Sequence, residues 1–120
     1  MRIPRRFLAA AAVAPLLASV MVVLTPGVAE AVTCGQGWSD KDKSGSGFPD
    51  GPGNGEVMMH TGMYGACPSA GTVNGIRLWY HCYRVNSYGH TWTHVRVDGT
   101  TAKGWVYDAY LSNNGSIYHC

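Results

Sequence analysis

Five histidines and four cysteines are the residues of this 120-residue chain best equipped for chemistry. His90 and His94 stand four apart, a spacing that pairs imidazoles on a helix. The segment around them reads as turn and strand, however, so the spacing loses that meaning. His60, His81 and His119 have no fixed sequence relation to those two. A structural zinc site needs closely spaced thiolates, and no Cys-x-x-Cys occurs. Asp40, Asp42 and Asp50 suggest calcium, but "DKDKSGSG" lacks the terminal bidentate carboxylate of an EF-hand loop and reads as a solvated loop. Nucleophilic catalysis requires a free Ser or Cys beside a base. No G-x-S-x-G is present, and the cysteines have another use. The expectation is a chain with no enzymatic activity, no metal and no cofactor.

Recognition is the remaining chemistry. "GWVYDAYLS", residues 104–112, sets Trp105, Tyr107 and Tyr110 into nine positions. Such side chains offer rigid apolar area with a polar handle, which suits them to line a groove. The alternative is that Tyr110 closes a buried hydrogen bond at a corner and that Trp105 covers the core.

The N-terminus reads as an export signal. "MRIPRR" is basic, residues 7–24 are apolar with Pro15 and Ser19 interrupting, and Ala29-Glu30-Ala31 is a small-x-small cleavage site. A membrane anchor is the competing reading of the apolar run. Cleavage after Ala31 would leave a chain starting at Val32, outside the membrane, with six basic and six acidic side chains. Its formal charge is zero and it holds no Lys/Arg cluster, so a phosphate-tracking nucleic-acid surface has no electrostatic basis. At this size one domain, expected as a monomer, is the ceiling.

All four cysteines follow residue 31. An even count in a small exported chain reads as two disulfides, and four cysteines allow three connectivities. The expected pairing is Cys67–Cys82 within the domain and Cys34–Cys120 tying its ends together.

Residues 32–55 form a Gly-rich arm. Positions 35–55 hold seven glycines and two prolines with no period, so an irregular path is expected. Trp38 and Phe48 are its large apolar groups, either able to pin it down. From residue 56 to 120 the text changes to strands. "EVMMHT" is a short apolar segment, and "YGACPSAGTVNG" reads as a loop. "IRLWYHCYRV" alternates, with Ile76, Leu78, Tyr80 and Cys82 inward and Trp79, His81 and Tyr83 as an outward stripe. That stripe is either a second sticky face or packs beneath the arm. In "TWTHVRV", Thr93, Val95 and Val97 oppose Trp92, His94 and Arg96. "DGT" signals a hairpin before the last strand, which Gly104 would let enter at a sheet edge. The class is all-β, a small barrel or sandwich of about five short strands.

The order W-x-x-V-R-V, D-G-T, x-x-G-W-V-x-x-x-Y-L resembles the bacterial Src-homology-3-like (SH3b) family over residues 56–112. Trp92, Val95, Arg96, Val97, Gly99, Gly104, Trp105, Val106, Tyr110 and Leu111 carry the likeness. His60-Thr61-Gly62 and Gly71-Thr72-Val73 stand where that family has its first-loop motifs, with His60 in place of an arginine and Met63 in place of a proline. The arm and the cysteines are similar to small exported actinobacterial proteins with one such domain. The resemblance implies an SH3-like barrel, with Val106 and Leu111 as inward plugs. It implies a ligand groove bordered by Tyr107, Tyr110 and Trp92, with Trp79 as a further candidate. It also implies a secreted, non-catalytic module for cell-wall peptidoglycan peptides. The alternative is a disulfide-hardened inhibitor or interaction domain directed at an extracellular protein, with residues 58–63 as its contact loop.

Overall fold

The computed structural model describes residues 32–120, so the expected signal segment, 1–31, lies outside the described residues. Six strands make one antiparallel sheet: β1 (Ser46–Gly47), β2 (Val57–His60), β3 (Ser69–Val73), β4 (Leu78–Val85), β5 (Thr91–Val97) and β6 (Lys103–Tyr107). Their order is β1-β4-β5-β6-β2-β3, and no ladder joins the edge strands β1 and β3. Two short 3₁₀ turns, Asp108–Tyr110 and Ser112–Asn114, follow β6.

Alternation builds the core. Val57, Met59, Val73, Leu78, Tyr80, Val95, Val97, Val106 and Leu111 form one buried cluster, drawn from five strands and the turn after β6. Leu78 and Val95 are fully buried. Each such side chain contributes about 2 kcal/mol by leaving water. Tyr80 reaches through this layer to donate its hydroxyl to the Ser112 carbonyl at 2.8 Å. The closing hydrogen bond considered for Tyr110 is thus made by Tyr80.

Four expectations are corrected. β3 lies inside the segment read as a loop: its small residues carry no alternation, and it becomes a strand by pairing with β2. The arm is not wholly irregular, because Ser46 and Gly47 pair with Trp79 and Leu78. β6 is interior rather than an edge. Gly104 serves close approach instead, since a Cβ there would stand 3.0 Å from the His60 carbonyl oxygen.

The fourth correction concerns the cysteines. The disulfides are Cys34–Cys67 and Cys82–Cys120, not Cys67–Cys82 and Cys34–Cys120. Cys67 lies in the loop after β2, and β4 is three strands from β2 in the sheet. Three strand spacings are about 14 Å along the sheet, beyond the reach of a disulfide. A β-bulge between Tyr80 and Cys82 adds to this. Tyr80 pairs with Val95 on the core side, whereas Cys82 pairs with His94 on the outer side. The inward set expected for β4 therefore shrinks to Leu78 and Tyr80: Ile76 lies exposed ahead of the strand, and Cys82 turns outward beneath the arm.

Candidate functional site

Two cross-strand pairs define the outer face of β5 and β6: Trp92 with Tyr107, and His94 with Trp105. The first pair opens onto a groove. The Trp92 and Tyr107 rings lie 5.8 Å apart at 48°, and Tyr107 meets Tyr110 edge-on at 5.2 Å and 90°. His60, on the neighbouring β2, meets Trp92 edge-on at 5.6 Å. Because these rings stand at steep angles, their faces are not consumed by stacking on one another.

The groove has two adjoining hollows, of about 170 and 300 Å³, which share His60, Trp92, Tyr107 and Tyr110. Pro52, Glu56 and Met58 line the first, Gly65 and His90 the second. Glu56 is the one carboxylate on the lining. Trp92 is 6% exposed, and its indole Nε1–H is the buried side-chain donor without a partner among the described residues. Leaving such a donor unpaired costs about 1–3 kcal/mol.

Local structure holds each wall. The His60 Nδ1 lies 2.9 Å from the Cys67 carbonyl, which can only accept, so Nδ1 carries the proton and Nε2 is the acceptor of the neutral ring. Asn86 shapes the β4–β5 loop: its Oδ1 accepts from the backbone N–H groups of Tyr88 and His90, and its Nδ2 donates to the Met63 carbonyl. The Tyr64 hydroxyl donates to Ser87, tying the same two loops. The arm fixes Tyr110 from the other end, where the Asp50 N–H donates to its carbonyl at 2.8 Å. Under the Tyr107–Tyr110 turn, Asp108 accepts from the Thr93 hydroxyl at 2.6 Å, and Thr93 accepts from the Ser116 N–H. Burial pushes the Asp108 carboxyl up to about 6, against the opposing Thr93 bond. Gly115, at φ 75°, passes so close to Thr93 and Asp108 that no side chain fits there.

The second pair, His94 and Trp105, is covered. The bulge in β4 brings His81 beside His94, with 2.8 Å between their Nδ1 atoms. One of these nitrogens donates and the other accepts, so the two rings hold opposite tautomers. Trp38 of the arm stacks on both, 4.6 Å from His81 and 4.0 Å from His94. The Lys103 ammonium lies 5.1 Å from the Trp38 ring. Burial, then His81, then Lys103 lower His94 to about 3. Burial also lowers His81, with Asp40 opposing and Arg96, Lys103 and Lys43 adding to it. The His81 carbonyl, freed by the bulge, accepts from the Lys41 and Asp42 N–H groups of the arm.

Of the residues proposed from sequence, Trp92, Tyr107 and Tyr110 meet in one groove. Trp79 does not line it; it pairs with Ser46 of β1 and donates its indole N–H to Asp98 at 2.9 Å. Trp105 lies under the arm's cover, 2% exposed. Glu56, Pro52 and His90 reach the groove without any sequence signal, since loop packing alone brings them there. Among the described residues, no three His, Cys, Asp or Glu side chains converge as a metal site would require. No protein-family model, curated protein or solved structure matches the chain.

Proposed function

We propose that the chain is a secreted, non-catalytic binding module, an SH3-like barrel that takes cell-wall peptidoglycan peptides into the groove of Trp92, Tyr107 and Tyr110. The observation that carries a binding role is the groove itself, two adjoining hollows that share His60, Trp92, Tyr107 and Tyr110. Its rings supply apolar contact, and the tyrosine hydroxyls supply polar handles for a peptide backbone. The two disulfides are compatible with an extracellular location. The signal-like N-terminus supports export, and the resemblance of residues 56–112 to the SH3b family supports both the barrel and the wall ligand.

A pull-down on purified peptidoglycan tests the assignment. The protein is expected to be retained, and Tyr107→Ala with Tyr110→Ala to abolish retention while the urea midpoint moves little. Retention unchanged in the double variant would sink the groove assignment. Capture of a single secreted protein with no wall retention would instead favour an inhibitor.

A further inference from the structure

We propose that Glu56 gives the groove a cation subsite, so that it selects a wall stem peptide whose diamino acid carries a free side-chain ammonium. The inference rests on the groove being a ligand site, and it adds the chemistry that chooses among ligands. Glu56 is exposed and shares the smaller hollow with Trp92, Tyr107 and Tyr110. Among the described residues its carboxylate has no ion-pair or hydrogen-bond partner; its backbone N–H alone is engaged, by Asn54.

Five of the six Lys and Arg side chains among the described residues are engaged away from Glu56, and the sixth, Lys41, does not line the groove. Arg84 donates to the Gly37 carbonyl and Arg96 to that of Thr100. Arg77 lies over Phe48 and Trp79, Lys103 over Trp38, and Lys43 pairs with Asp40. A carboxylate beside three aromatic rings set at steep angles is complementary to an ammonium ion. The charge meets Glu56, and the ammonium and its methylenes meet ring faces. The groove therefore matches a ligand that carries an ammonium on an apolar stem, rather than an acidic or purely apolar one.

The probe is Nα-acetyl-lysine methylamide, compared with the same compound acetylated on its side-chain amine. Binding is followed by the Trp92 indole N–H resonance, assigned with Trp92→Phe. The free amine is expected to bind about five- to thirtyfold more tightly than the acetylated form. Glu56→Gln is expected to reduce the free amine to the acetylated level with its urea midpoint unchanged. Equal response to both probes, or full selectivity surviving in Glu56→Gln, overturns the subsite. So does the absence of any response to either. In a parallel arm, peptidoglycan whose free amines have been acetylated should retain the protein less than intact peptidoglycan. Selectivity for the amine probe without retention on either wall preparation would keep the subsite and remove the wall ligand.

Discussion

Trp92–Tyr107 and His94–Trp105 are adjacent rungs of the same ladder on the same outer face, yet one is open and the other closed. The closed rung has satisfied chemistry: the His94 Nδ1 is bonded to His81, and Trp38 stacks over both rings. The open rung borders a groove, and its buried Trp92 indole N–H has no acceptor among the described residues. The strands are equivalent, so the difference comes from what lies above them. The arm covers the closed rung and passes to the side of the open one, reaching the groove only at Pro52. Cover by the protein itself produces stability, and the lack of it leaves a surface for something else.

Breaking the cover at its root should have the largest effect. Cys34→Ser with Cys67→Ser releases the arm's start from the loop after β2 and should cost about 2–4 kcal/mol in urea unfolding. A loss below 1 kcal/mol would mean that the arm is held without the disulfide. Trp38→Ala comes next, at about 2 kcal/mol, because it strips the stack from His81 and His94 while leaving the arm's backbone bonds in place. The same variant should let His94 titrate well above about 3, as followed by its imidazole proton resonances. An unmoved titration would mean that something other than Trp38 buries that ring.

The smallest effect sharpens the contrast through pH. His94 is lowered in the folded state from an ordinary 6.5 to about 3. Between those values the unfolded chain binds more protons, so this contribution is complete above pH 6.5 and is lost as pH falls. Asp108 works in reverse: raised from 3.8 to about 6, it favours the folded state at low pH and loses that contribution as pH rises through 6. The two oppose each other between pH 3.8 and 6. Asp108→Asn keeps an acceptor for Thr93 and removes the opposing titration, so stability in that window should fall more steeply with acid than in the parent. An equally shallow profile, measured as the urea midpoint against pH, would show that Asp108 titrates at its ordinary value.

Much of the sheet was legible because a period of two survives in a single sequence. Thr93, Val95 and Val97 could be separated from Trp92, His94 and Arg96 by alternation alone. Tyr107 and Tyr110 stood three apart across a one-turn corner, which put them on one side of it, and the resemblance to the SH3b family set that side beside Trp92. β3 was not legible, because Ser69, Ala70 and Gly71 carry no pattern and owe their extended form to pairing with β2. The bulge at His81 was equally hidden. An extra residue in one strand changes no residue type, yet it turned Cys82 from the expected core side to the arm side and put His81 against His94.

By itself, then, the amino-acid order determined an all-β chain and two disulfides' worth of cysteines, which follow from local alternation and composition, while the aromatic residues of the groove were named by the resemblance to the SH3b family. Only the tertiary structure decided which cysteines pair, which aromatic rung the arm closes, and that Glu56 lines the same groove as Trp92. Each of these depends on distances between segments far apart in the chain, set by sheet order and by one bulge, and no local pattern encodes them.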